Sequence, residues 1–208
     1  MDIYEAIYAR RTVRDFQEKK ITPGIITKII DAGLQAPTNN HLREWEFIII
    51  TDQMARLKVV DKVNKNTTDK EAIKIIDKWG VTDGCQREMY IESIPKQYRM
   101  LLNAGCIIIP CFRQNWPLLT PANLSALNPF ASIWCCIENI LLAAVSEGIY
   151  GVTRIPFDNE IQHIREILKI PDDYEFPCYI ALGYPSENRK PVLQHSIKAE
   201  ERLHFNRW

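Results

Sequence analysis

Apolar positions at the start of the chain recur at helical spacing. Asp2 is placed to cap a helix whose apolar side carries Ile3, Ala6 and Ile7. Thr22-Pro23 has the form of a cap and first helical position. Ile25, Ile26, Ile29, Ile30 and Leu34 then predict a helix ending near Ala36-Pro37. The pattern changes at Glu46-Phe47-Ile48-Ile49-Ile50, which predicts a buried strand. From Asp52 to Asn103 the period is helical again but more polar, with breaks near Gly80 and Gly84. Cys106 to Phe112 predicts a second strand. Within it Pro110, lacking an N–H for the ladder, points to an edge or an irregularity.

In the second half, Asn128-Pro129 predicts the cap and first turn of a helix running through Trp134, Ile140 and Ala144 toward Gly148. Its apolar residues circle it almost completely, so it is buried on every side or shared between subunits. Asp158 is placed to cap a short helix through Ile161, Ile164 and Leu168, stopped by Pro171. Phe176 to Leu182 predicts a third strand, closed by Gly183-Tyr184-Pro185. After Ser186 the chain is polar without a clear period, an arm of the kind that packs on a partner. These elements, with no repeat or linker among them, predict one α+β domain over residues 1–208.

Composition narrows the classes. In 208 residues, 46% are hydrophobic and 25% charged, a globular balance. A formal net charge of +0 gives no global attraction to nucleic acid or an anionic membrane. The start Met1-Asp2-Ile3-Tyr4-Glu5 lacks the basic and apolar regions of a signal peptide, and no uninterrupted apolar run is long enough to span a bilayer. The expectation is a cytoplasmic protein. The six cysteines form no C-x-x-C pair and no zinc-spaced cluster with histidine, so no metal site is expected. Cys106, Cys111, Cys135 and Cys136 fall in apolar stretches and are expected to act as small buried hydrophobes. The eight glycines are scattered, with neither G-x-G-x-x-G nor a Walker A loop, which excludes a Rossmann dinucleotide cradle.

Candidate chemistry concentrates in Arg10-Arg11-Thr12-Val13-Arg14-Asp15-Phe16. If the first helix continues, Arg10 and Arg14 share a face at i, i+4; if the chain becomes extended at Thr12-Val13, residues 10, 12 and 14 share one. Either way two guanidinium groups converge, and an anion between them relieves their repulsion. A phosphate-bearing ligand fits this pattern. So does a solvated basic turn paired with Asp15, Glu18 or a distant carboxylate.

Taken with the helix before it, this segment resembles the opening signature of FMN-dependent nitroreductases. Ala36-Pro37-Thr38-Asn39-Asn40-His41-Leu42-Arg43-Glu44-Trp45-Glu46-Phe47 is similar to the family's second signature, keeping Ala36, Pro37, Trp45 and Phe47 but departing at His41, Arg43 and Glu44. Glu138-Asn139-Ile140-Leu141-Leu142-Ala143-Ala144 resembles the central dimer helix. Ile170-Pro171-Asp172-Asp173-Tyr174 and Ile180-Ala181-Leu182-Gly183-Tyr184-Pro185 resemble the closing strand, and residues 198–208 the C-terminal arm. The resemblance is slight over residues 55–120.

The resemblance implies a three-layer fold: a central, mostly antiparallel sheet flanked by helices, with the arm exchanged in a homodimer. It implies FMN as cofactor and NADH or NADPH as co-substrate. Arg10, Arg11, Thr12 and Arg14 would grip the flavin phosphate and ribityl chain. Pro37, Thr38, Asn39 and His41 would join the site, as would Arg154 and Ile155, where backbone N–H groups of residues 151–157 face the flavin. Pro156 offers no N–H there. Lys198 would be the basic contact from the arm, with Arg189 and Lys190 as rivals. Residues 64–103 would include a substrate lid, whose Trp79, Tyr90 and Tyr98 stack on an acceptor or simply pack. No catalytic acid, base or nucleophile is required, because the flavin carries the hydride chemistry. The implied activity is hydride transfer from NAD(P)H through FMN to a nitroaromatic, a quinone or a related small acceptor. His41 is similar to the halotyrosine-dehalogenating branch, which keeps a reductive dehalogenase open. A non-catalytic flavin sensor or store also fits these residues, as does a phosphate-ligand module without flavin.

Overall fold

A capping box starts the first helix, α1 (Ile3–Ala9): the Asp2 carboxylate accepts from the Glu5 N–H, and Glu5 accepts from the Asp2 N–H, each at 2.8 Å. The computed structural model describes residues 1–189 and 197–208. Thr22 caps α2 (Pro23–Gly33) as its sequence predicts, and β1 is Trp45–Ile50. The polar helical stretch divides into α3 (Gln53–Val59), α4 (Asp69–Lys78), α5 (Gly84–Ser93) and α6 (Gln97–Asn103). Then come β2 (Cys106–Arg113), α7 (Asn128–Ser146), β3 (Tyr150–Arg154), α8 (Asp158–Leu168), β4 (Tyr174–Glu175) and β5 (Tyr179–Gly183). Two caps sit one residue earlier than expected: Leu127 precedes α7, and Phe157, not Asp158, precedes α8.

The sheet order is β1-β2-β5-β3, with antiparallel pairing throughout, and β4 joins β2. Strand β2 is therefore central, and its Pro110 pairs with Phe47 of β1. The irregularity lies on the other side. There β2 registers with β5 at Cys106–Ile108 and with β4 at Phe112–Arg113, and residues between have no partner. A residue without an N–H is tolerated in such a gap.

Residues of β2 alternate between two cores. Cys106, Ile108 and Phe112 face α2 and α7, packing with Ile29, Ile133, Ile137 and Ile140. Ile107, Ile109 and Cys111 face the opposite layer, packing with Val59, Leu101 and Ile164 from α3, α6 and α8. A sheet covered on both faces explains why its strands read as continuous apolar runs and not as alternation. The result is a three-layer α+β fold. α4 and α5 form a small satellite around Ala72, Ile76 and Ile94. The helical stretch Leu124–Ser146 is long and apolar enough to cross a membrane by length and composition. In the fold α7 instead buries Ile133, Cys136, Ile137, Ile140, Ala144 and Val145 in the core.

Candidate functional site

The basic N-terminal segment takes the extended alternative. α1 stops at Ala9, Arg10 turns out of the helix at ψ 123°, and Thr12 forms a parallel bridge with Gly151 on β3. The Val13 N–H donates to the Gly151 carbonyl at 3.1 Å, while the Val13 side chain enters the core. Gly151 is required there: a Cβ would lie 2.5 Å from the Ala181 carbonyl oxygen. Farther along, Phe16 bridges Pro185 and its ring covers Gly183. The segment thus meets the free side of β3 at Gly151 and then runs beside residues 184–186 after β5.

Its arginines differ in what they meet. Arg10 Nε is 3.2 Å from Glu138 of α7. Arg11 is exposed and donates to the Arg10 carbonyl at 2.7 Å. Arg14 is nearly enclosed, with 12% of its side chain exposed, yet it makes no hydrogen bond to an oxygen among the described residues. Its Nη1 is 3.7 Å from Glu92 of α5, and its Nη2 is 3.7 Å from the Met89 sulfur. The Glu92 contact is long beside the usual ~2.7–2.9 Å of a charge-assisted bond to oxygen, and the thioether sulfur is a weak acceptor. Burial lowers the Arg14 pKa, and Glu92 and Asp15 only partly oppose that. Lys96, the residue before α6, bonds Asp15 at 2.6 Å and also bonds Glu92. Burial depresses Lys96 and the bonds to Asp15 and Glu92 raise it, with a net upward shift.

Arg154 is the contrasting case. It is buried, donating to both Glu160 oxygens, at 2.7 Å from Nη2, and to Gln97 at 2.9 Å. Tyr179 adds a bond to Glu160 at 3.4 Å. This guanidinium joins β3, α6 and α8, so its donors are taken up within the chain. Its neighbour Ile155 is well exposed, and Pro156 is buried.

The second expected group gathers elsewhere. Thr38 precedes a short 3-10 turn, Asn39–His41, which leans on the first turns of α7: the Asn39 N–H donates to Ser132 Oγ at 3.1 Å, and Asn128 Nδ2 donates to Asn39 Oδ1 at 3.3 Å. Asn40, His41 and Arg43 all hold positive φ (49°, 55° and 53°), a conformation that costs energy in non-glycine residues and clusters at functional sites. Pro37 and His41 are exposed. The turn borders a cavity of about 500 Å³ whose lining includes Glu44, Arg113, Gln114, Asn123 and Asn128. Among the described residues no hydrogen bond or ion pair joins this group to Arg10–Arg14.

Lys198 is exposed and precedes the 3-10 turn Ala199–Glu201. Arg189 turns back to the Ser186 carbonyl at 3.2 Å, and Lys190 lies outside the described residues. Trp79 and Tyr90 pack edge to face at 5.5 Å, and Tyr98 packs on the second core. Four of the cysteines are buried, and burial pushes the thiols of Cys106, Cys111 and Cys136 up to about 12. Cys135 is instead exposed on α7. Sequence reasoning misses Glu92, Lys96 and Glu138, the partners of the N-terminal segment. Only the i, i+4 spacing of Glu92 and Lys96 hints at a pair.

The family model named "Nitroreductase family" matches residues 7–184. A protein of Methanothermobacter thermautotrophicus, provisionally named an NADH dehydrogenase/NAD(P)H nitroreductase, is 28% identical over 100% of this chain and 88% of its own length. The iodotyrosine deiodinase of Haliscomenobacter hydrossis is 23% identical over 95% of this chain and 86% of its own. Among solved structures, an FMN-dependent nitroreductase of Clostridium difficile R20291 superposes with a TM-score of 0.68 at 20% identity, covering 98% of each chain. At that identity the likeness speaks for the fold.

Proposed function

This chain belongs to the nitroreductase family, and from that premise we propose that it is an FMN-dependent oxidoreductase that takes hydride from NADH or NADPH and passes it to a small acceptor. The observation that carries the reading is Arg14: a desolvated guanidinium whose donors, among the described residues, meet only a sulfur and a carboxylate at 3.7 Å. A ligand oxygen supplies the bond that it lacks. Arg10, Arg11 and the Thr12 hydroxyl stand on the same segment, so the donor set suits a phosphate-bearing cofactor.

When bound, FMN supplies the two-electron chemistry. The chain's residues then have binding and positioning roles. Arg10, Arg11 and Arg14 balance the cofactor's negative charge, and Thr12 offers a hydroxyl. Ile155 gives apolar cover at the end of β3. Lys198 would bring a further cation from the arm. No residue of this site need act as acid, base or nucleophile, so none is assigned.

The acceptor we favour is a nitroaromatic, a quinone or a chemically related compound. The nitroreductase-named relative is more similar to this chain than the deiodinase is, and the exposed His41 side chain makes no hydrogen bond among the described residues. A dimer completes the proposal. Arg10–Arg14 and Thr38–His41 rest on different parts of α7 and do not meet within one chain, so a two-fold mate is the simplest way to bring the second group to the first. Exposed Ile3, Tyr4, Ile7 and Tyr8 on α1, with Ile197, Leu203 and Phe205 of the arm, supply apolar surface for that pairing. The test is whether the purified chain holds FMN and whether NADH or NADPH reduces it.

A further inference from the structure

The satellite made by α4 and α5 has its own small core, and charged groups tie it to the N-terminal segment. The link is a run of four charges, Arg14–Glu92–Lys96–Asp15. Lys96 sits between two carboxylates and holds both closely. Arg14 holds Glu92 only at 3.7 Å. Arg154 in the same chain shows what a satisfied buried arginine looks like, with two short bonds to Glu160 and one to Gln97. Glu92 is therefore near enough to offset the charge of Arg14 but too far to saturate its donors. It is 30% exposed, so a modest rotation frees it toward water while Lys96 keeps hold of it.

We infer that Glu92 is a displaceable counter-ion of Arg14, competing with an acceptor oxygen of the ligand and coupling ligand binding to the placement of α5. This rests on the FMN reading of the site. Glu92 is a positioning residue: it acts on the ligand through Arg14. Two parts of oxidised FMN offer an oxygen to Arg14, the phosphate oxyanion and the neutral carbonyl on the pyrimidine edge of the flavin. Riboflavin, which has the second but not the first, separates them.

The experiment compares dissociation constants for FMN and riboflavin in the wild-type protein and in Glu92→Gln. Glutamine keeps the shape and removes the competing charge. FMN should then bind more tightly by about 5-fold, the scale of one partly exposed ion pair. A gain confined to FMN assigns the phosphate; an equal gain with riboflavin assigns the flavin edge. Arg14→Met should abolish the effect, so that adding Glu92→Gln to it changes nothing. Asp77→Asn, which breaks the exposed Arg87–Asp77 pair in the same satellite, should leave both constants unchanged. Unchanged or weaker FMN binding by a folded Glu92→Gln protein overturns the inference and leaves the cofactor reading standing. The inference also falls if Asp77→Asn tightens FMN equally, or if the gain persists without Arg14. Failure of the wild-type protein to bind FMN removes both.

Discussion

Removing the guanidinium of Arg14 deletes two long contacts within the chain but, if Arg14 grips FMN, a short charge-assisted bond to the cofactor. The effects on folding and on binding should therefore separate. Arg14→Ala should weaken FMN binding by about 1.5–3 kcal/mol, the scale of a hydrogen bond to a charged group, with little change in thermal stability. Arg14→Lys should restore the charge but not the planar fork, so its rescue is incomplete. Titration of apoprotein with FMN checks both; wild-type affinity in Arg14→Ala would reduce the segment to a basic turn. The residue type and its neighbourhood are legible in the sequence, because arginines four positions apart share a face in either backbone conformation. Its partners are not, because Glu92 and Glu138 reach the segment from helices remote in sequence. The bonds of Arg154 are not legible for a related reason: its position at the end of a strand near an expected cofactor does not reveal which face its side chain takes.

At the scale of elements, the Arg154–Glu160 pair fixes how α8 meets the sheet. Both residues are almost fully buried, at 6% and 2% exposure. Glu160→Gln leaves the Arg154 charge buried without its counter-ion, which should cost on the order of 3–5 kcal/mol of stability. FMN affinity of the protein that remains folded should be unchanged, since the donors of Arg154 go to Glu160 and Gln97 and not to the N-terminal segment. Urea unfolding followed by FMN titration measures the two; a loss of affinity with stability intact would return Arg154 to the cofactor site. Helices with clean caps, such as α1 and α2, are legible because local bonds define them. β3 is not, since Tyr150–Arg154 is short and carries glycine, threonine and arginine, and pairing with β5 is what makes it a strand. α7 shows the limit of a periodic pattern. Its apolar circumference suggests a partner around Ile140 and Ala144, but these have no exposed surface, and Ile140 lies against Gly33 of α2 so closely that a Cβ there would be 2.6 Å from it. A charge at either position probes the core of one chain.

For the whole molecule, the surface that points to a partner is α1 and the arm. Ile7 is 45% exposed, beside Ile3 and Tyr4, so Ile7→Glu should leave the chain folded while burying a charge in the proposed interface. An obligate interface of this kind covers about 2,000–5,000 Å². Light scattering should find two chains in the wild-type protein and one in Ile7→Glu, with flavin lost from the single chain. A wild-type protein that is a single chain and still holds FMN would remove the dimer. Three layers around an antiparallel sheet are expected from the family resemblance, and the alternating faces of β2 realise them. What that scaffold holds is read most directly from the visible spectrum of the purified protein after incubation with FMN and gel filtration, recorded anaerobically before and after NADH or NADPH. An FMN-dependent oxidoreductase should be yellow, and its flavin absorbance should bleach with one of the two nucleotides. A colourless protein, or bound flavin that neither nucleotide bleaches, would contradict that function.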